Sequence, residues 1–317
     1  MMISMRALAH SFFLGLTLTL IIPAPAYSEP ETGTPQASQD TPDYGPNLSA
    51  IAAIVYDQQT GQILLSKNPD LQSPIASITK LMTAVVLMDA DVNMKERIAI
   101  TRQDVDHLKG TRSRLPAGAV YSREQLLNMA LIASENRAAH ALGRTTFAGG
   151  EREFVAAMNR KARQLGMLNT NYVDPTGLDS TNRSTAEDLV KLVNYAYLNY
   201  PEIRRIASSG EYSLGFQRVV IKSRGHRRHH HVARRVCYRQ VAFNNTNRLT
   251  REGEWEIGLS KTGFINEAGH CLVMQARIAQ REVIIVLLDT PGKSDRIGDA
   301  TRIKQWLESK SPLRNLS

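Results

Sequence analysis

Beyond Ser28 the sequence, 317 residues in all, has no apolar stretch long enough to cross a bilayer. Val283 to Leu288 is a short apolar run, the length of a buried strand. Cysteine is scarce: Cys237 and Cys271 permit at most one disulfide, and their positions leave open whether they pair or remain thiols. Acidic residues are the minority, 30 against 39 Lys and Arg, for a net charge of +9. Such a balance suits a polyanionic neighbour such as a cell wall or a membrane surface. No internal repeat is visible, so one fold unit rather than an array is expected. With 42% apolar and 22% charged residues, the remainder reads as globular and large enough for a sizeable core.

The segment Met1–Ser28 stands apart. Met1 to His10 carries one Arg and no acid, Phe12 to Ile22 is apolar, and Ala24-Pro25-Ala26 and Ala26-Tyr27-Ser28 offer small residues at cleavage spacing. Residues 1–28 therefore read as a cleaved signal peptide, which makes the mature chain an exported one. Nucleic acid is a poor candidate partner there. Residues 29–47, rich in Pro, Thr, Gln, Asp and Ser, read as a disordered linker. The folded region is expected over 48–310, with 311–317 as a tail.

Within it, strands are expected at Ala50–Tyr56 and Ile63–Ser66, then a helix from Ser77 to about Asp89. Residues 91–122 look mixed. Helices follow at Arg123–Ala133, Asn136–Arg144, Glu151–Leu165, Asp188–Asn199 and Pro201–Ala207, the fourth opened by a capping box at Ser184–Glu187. Strands return at Tyr212–Ile221, Trp255–Lys261, Cys271–Ile278 and Val283–Leu288. A turn at Ala279–Glu282 joins the last two, and a helix at Asp295–Lys310 closes the chain. The order is that of an α+β fold: an antiparallel sheet built from both ends of the chain, flanked by helices, with a helical subdomain inserted at about 90–207.

Three short patterns carry chemistry. Pro74 halts what precedes it, and a helix opening at Ser77 places Ser77 and Lys80 on one face, a nucleophile beside a base. Taken alone, this is as easily a Ser cap and a surface Lys. Ser134-Glu135-Asn136 comes next, between two helices, where a hydroxyl and an amide project together. Lys261-Thr262-Gly263 follows much further along, on a late strand, with a glycine that admits another backbone closely. Each has a bland reading as a turn or a strand end. Their joint occurrence, in this order and in these contexts, does not.

On these motifs the sequence resembles the penicillin-binding serine DD-peptidases, which share a fold with the serine β-lactamases. The resemblance runs from about Ala50 to Glu308. Ser113–Gly118, Asp174–Leu178, Asn245–Leu249 and Ser260–Gly269 are similar to the low-molecular-mass D-alanyl-D-alanine endopeptidases of peptidase family S11. The resemblance implies a periplasmic enzyme acting on peptidoglycan, with β-lactams as inhibitors and no metal or cofactor. Ser77 would form the acyl-enzyme, Lys80 would accept its proton, and Ser134 would pass a proton to the leaving amine. Asn136, Lys261, Thr262 and Gly263 would bind substrate, and the backbone N–H groups of Ser77 and Phe264 would form the oxyanion hole. Lys261 and burial together are expected to keep Lys80 neutral. Residues 169–183 contain Asp174 and Asp179 but no glutamate to activate a deacylating water, so slow turnover of penicillin is expected.

DD-endopeptidase action on D-alanyl–diaminopimelyl cross-links is the leading expectation. DD-carboxypeptidase, β-lactamase and a non-catalytic murein-binding scaffold are its rivals. One segment departs from the pattern. Lys222 to Arg239 holds seven basic residues, no acid, and His226, His229, His230 and His231. A zinc site is disfavoured by the lack of a separated ligand pair, and a solvated basic loop contacting wall or membrane is expected. His107, His140 and His270 are expected to be structural.

Overall fold

The computed structural model describes residues 45–222 and 234–310. The expected signal peptide, residues 29–44 of the expected linker, the four clustered histidines and the expected tail lie outside the described residues.

A hairpin of β1 (Ala52–Asp57) and β2 (Ile63–Lys67) opens the fold, its turn fastened by the Asp57 carboxylate, which accepts the N–H groups of Gln59 and Thr60. β3 (Ser73–Pro74) leads into a single 3-10 turn at Ala76–Ile78 and then α1 (Thr79–Asp89). β4 (Arg97–Ala99) and β5 (Val120–Ser122) form a short ribbon in the segment that reads as mixed. Next come α2 (Arg123–Ile132), α3 (Asn136–Thr146) and α4 (Gly150–Gln164). β6 (Arg183–Ser184) pairs with β3 and precedes α5 (Ala186–Asn199) and α6 (Pro201–Ser208). β7 (Glu211–Lys222) and β8 (Arg234–Asn244) make a separate antiparallel ribbon. β9 (Glu256–Ile265), β10 (Gly269–Ile278), β11 (Arg281–Thr290) and α7 (Lys293–Ser309) complete the chain.

The main sheet is antiparallel in the order β2-β1-β11-β10-β9, so both ends of the chain build it and the fold is α+β. β11 explains why its sequence is continuously apolar rather than alternating. Ile284, Val286 and Leu288 enter one core with α1, α2 and α5, while Val283, Ile285 and Leu287 enter the other with Ile297, Ala300, Ile303 and Leu307 of α7. The fully buried α1 residues Leu81 to Leu87 lie within the first core, which holds the start of α1 rigidly against the sheet. At the other end, Asp299 of α7 accepts the backbone N–H groups of Ser49 and Ala50 at 2.9 and 2.8 Å, tying the last helix to the entry of β1.

Several boundaries differ from the sequence reading. The α5 cap is Thr185, not Ser184: its hydroxyl accepts the Asp188 N–H, and the Asp188 carboxylate turns to Asn169 and Thr170 instead. The β10–β11 turn is formed by Ala279 and Gln280 alone, both at positive φ (49° and 63°), with Arg281 and Glu282 already paired to Ile278 and Arg277. β9 runs on to Ile265, so Lys261-Thr262-Gly263 lies within the strand rather than at its end. The expected basic loop is strand at both edges: Lys222 pairs with Arg234, and Val219 with Cys237. Arginines interrupt the apolar alternation there, which hides β8. Cys271 is a buried free thiol that donates to the Ala268 carbonyl.

Candidate active site

Ser77 sits in the 3-10 turn just before α1 rather than inside the helix. The turn is forced by two glycines on neighbouring segments. Gly177, at φ +80°, passes so close that a methyl group on it would lie 1.9 Å from the Ala76 carbonyl oxygen. A methyl on Gly263 would lie 2.8 Å from the Ile75 carbonyl oxygen and 3.3 Å from the Ser77 nitrogen. The close approach expected at Gly263 is therefore present, and the backbone that approaches is that of the Ser77 turn. Ala76 pays with a positive φ of 46°.

Lys80 rises from the first turn of α1 and is 1% exposed. Its Nζ donates to Ser77 Oγ at 2.8 Å, Asn136 Oδ1 at 2.7 Å and the Thr176 carbonyl at 2.6 Å. Burial lowers its pKa to about 7, against the pull of the Asp174, Glu135 and Asp106 carboxylates. The expected dependence on Lys261 is not the cause. The repulsion shows on Lys261 instead, which is pushed well below its usual value first by burial and then by the charges of Lys80 and Arg296.

Ser134 lies between α2 and α3 at φ 58°, a left-handed conformation that a serine adopts only under constraint. Glu135 provides the constraint: its nearly buried carboxylate accepts Ser113 Oγ at 2.7 Å and the Arg114 N–H at 3.2 Å. Lys261 Nζ donates to Ser134 Oγ at 3.0 Å and to the Thr262 carbonyl at 2.8 Å. Thr262 Oγ1 donates to Thr246 Oγ1 at 2.7 Å. Asn136, whose carbonyl faces Lys80, donates one amide hydrogen to Thr111 Oγ1 at 2.9 Å. Phe264 is half exposed and stacks on His270, with ring centroids 4.2 Å apart. Ser77, Ser134, Asn136, Thr262, Gly263 and Phe264 all line one cavity of about 330 Å³. Lys80 and Lys261 are buried behind it, bonded to its two serines.

Asp174 and Thr246, from the family-like stretches Asp174–Leu178 and Asn245–Leu249, and Arg296, which lies in no such stretch, belong to the same machinery. Asp174 uses one oxygen on Thr176 and Gly177 and the other on Asp179, which shapes the loop that offers the Thr176 carbonyl to Lys80. Arg296 of α7 donates to the Cys271 carbonyl at 2.9 Å and lines the same cavity. Thr246 is held by its neighbour Asn247, whose amide donates to Ser260 Oγ at 2.8 Å. Two expected structural histidines have clear packing reasons: His270 under Phe264, and His140 between Asp104 (2.7 Å) and Glu151 (3.3 Å).

A serine bonded to a buried lysine, facing a second serine–lysine pair across the edge strand of an antiparallel sheet, belongs to the DD-peptidase class of serine hydrolases. The chain is a member of the D-alanyl-D-alanine carboxypeptidase family, peptidase family S11, which matches residues 36–292. It is 40% identical to the D-alanyl-D-alanine endopeptidase of Pseudomonas aeruginosa over 93% of this chain and 86% of that one. It is 37% identical to the D-alanyl-D-alanine endopeptidase of Escherichia coli K12 over 93% and 87%. The crystal structure of the Streptomyces K15 DD-transpeptidase superposes with a TM-score of 0.70 at 25% identity, covering 84% of this chain and 99% of that one. Penicillin-binding protein D2 of Listeria monocytogenes, in its cefotaxime-bound form, superposes with a TM-score of 0.67 at 27% identity, covering 82% and 98%.

Proposed function

We propose that this enzyme is a periplasmic DD-endopeptidase that hydrolyses D-alanyl–diaminopimelyl cross-links of peptidoglycan through an acyl-enzyme on Ser77. The observation that carries the chemistry is the 2.8 Å hydrogen bond from buried Lys80 to Ser77 Oγ, made by an amine whose pKa of about 7 lets it act as a base. Lys80 takes the Ser77 proton as Oγ attacks the D-alanine carbonyl. The N–H groups of Ser77 and Phe264 receive the developing oxyanion. Ser134 passes a proton to the leaving amine, with Lys261 at 3.0 Å stabilising its oxygen. The second amide hydrogen of Asn136 is left to hold the substrate backbone.

Lys261 and Thr262 hold the carboxylate beside the scissile bond. An arriving carboxylate favours the ammonium form of Lys261, which pairs with it, while burial keeps Lys80 available as a neutral amine near pH 7. Both oxygens of Asp174 are engaged within their own loop, and no glutamate lies in residues 169–183. Water therefore has no ready base once the wrong leaving group remains attached, and penicillin acts as a slow-release inhibitor. Periplasmic residence rests on the signal-peptide pattern of residues 1–28.

Digestion of purified cross-linked and uncross-linked muropeptides tests the reading. Release of monomers from cross-linked dimers supports it. Loss of terminal D-alanine with dimers left intact makes the enzyme a carboxypeptidase.

A further inference from the structure

The cavity at Ser77 does not end at Thr262. It shares Thr246, Lys293 and Arg296 with a second cavity of about 440 Å³, larger than the first. The second cavity adds Arg248 and Arg251 to its lining, and no Asp or Glu lines it. Arg248 has one carboxylate partner, Glu252 at 3.3 Å. Among the described residues Arg251, Lys293 and Arg296 have no ion pair. Arg296 is 3% exposed, and its Nε is a buried donor with no acceptor. The unmatched buried donor of Arg296 is costly unless an acceptor arrives, and three exposed cations around the same hollow favour one that is anionic. The first turn of α7 contributes Lys293, Ser294 and Arg296 to the lining, while Asp295 of the same turn does not line the cavity.

The position fixes which part of the substrate could reach it. Lys261 and Thr262 take the carboxylate on the amine side of the scissile bond, and the second cavity opens past Thr262 through its partner Thr246. A leaving free D-alanine has only a methyl group on the carbon that bears that carboxylate and would leave the hollow unfilled. A leaving peptide strand would extend into it.

We propose that the Arg248–Arg251–Lys293 cavity is a specificity site for the amine-side peptide of the cross-link, binding carboxylates of that strand beyond the one at the scissile bond. The proposal rests on the endopeptidase reading and supplies the feature that separates a cross-link from a terminal D-alanine.

The test uses the mature enzyme and the Arg248→Gln/Arg251→Gln double variant, which alters the outer cavity alone. Three readouts are compared: kcat/KM on a cross-linked dimer, kcat/KM on an uncross-linked pentapeptide ending in D-alanyl-D-alanine, and the rate of labelling by fluorescent penicillin. The double variant should lose about three- to tenfold on the dimer, mostly in KM, with the other two readouts within about twofold. A dimer amidated at the outer carboxylates of its amine-side strand should lose a similar factor with the unaltered enzyme and little more with the variant. Salt should weaken dimer turnover by the unaltered enzyme more than by the variant. Equal losses on dimer and pentapeptide, no loss on either, or a full loss with the amidated dimer in the variant would overturn the site. An unaltered enzyme that is labelled by penicillin but leaves every dimer intact would instead overturn the endopeptidase reading itself.

Discussion

Lys80 Nζ donates to Ser77 Oγ across 2.8 Å from a position only 1% exposed. That pairing makes acylation a titration of one amine. The neutral form of Lys80 grows as pH rises through its folded value of about 7. Acylation of Ser77 by penicillin should therefore rise with pH below about 7 and level off above it. Lys80→Arg, whose guanidinium does not deprotonate, should acylate at least about a hundredfold more slowly. Stopped-flow or quenched labelling between pH 5 and 9 measures both. A flat profile would show that Lys80 is not the base.

Lys261 lies 3.0 Å from Ser134 Oγ, and its charge suffers from burial and from Lys80. Lys261→Met keeps the volume and removes the charge. Peptide kcat/KM should fall by about one to two orders of magnitude through loss of a charge-assisted carboxylate contact. The midpoint of the acylation profile should stay near 7, because burial sets it. A midpoint that climbs by more than about one unit would make Lys261 the principal cause after all.

The contact of Gly177 with the Ala76 carbonyl gives a sharp stability contrast. Gly177→Ala places a methyl 1.9 Å from that oxygen at φ +80°, and should cost more than about 3 kcal/mol while displacing Ser77. Gly166→Ala has φ +69° but nothing within 4 Å, and should cost about 1 kcal/mol with acylation intact. Denaturant unfolding of the two variants decides it, and similar losses would contradict the close-approach explanation.

His140 carries a separate pH signature. Burial lowers it, but hydrogen bonds to the Asp104 and Glu151 carboxylates outweigh burial and raise it to about 9. A raised folded value means that the stabilisation is complete below the ordinary pKa of 6.5 and is lost as pH rises through about 9. The stability gap between the unaltered enzyme and His140→Gln should be about 1–2 kcal/mol near pH 6 and shrink toward zero by about pH 10. NMR titration of the His140 ring gives an independent midpoint, and a value near 6.5 would remove the effect.

The sequence carried the parts of the fold whose cause is local. Periodicity placed α1 to α7 because each helix has its own apolar face, and the central strands because they are buried on both sides. β8 escaped because Arg234, Arg235 and Arg239 interrupt its apolar alternation. At the site, Ser77, Lys80, Ser134, Asn136 and Lys261 were legible because each lies in a short pattern. Thr111 and Arg296 were not. Their contribution depends on which distant segment they meet, as when Arg296 reaches the Cys271 carbonyl from α7. That burial lowers Lys80 was legible; that it does so without Lys261 was not, since the weight of each depends on how the core packs.

The most direct measurement is the mass of the enzyme after incubation with a penicillin, followed by peptide mapping of the adduct. The account predicts one stoichiometric adduct on the peptide containing Ser77, persisting long after free drug is removed, and none on Ser77→Ala. An unmodified enzyme, an adduct on Ser134 or another residue, or rapid hydrolysis that leaves no adduct would contradict it.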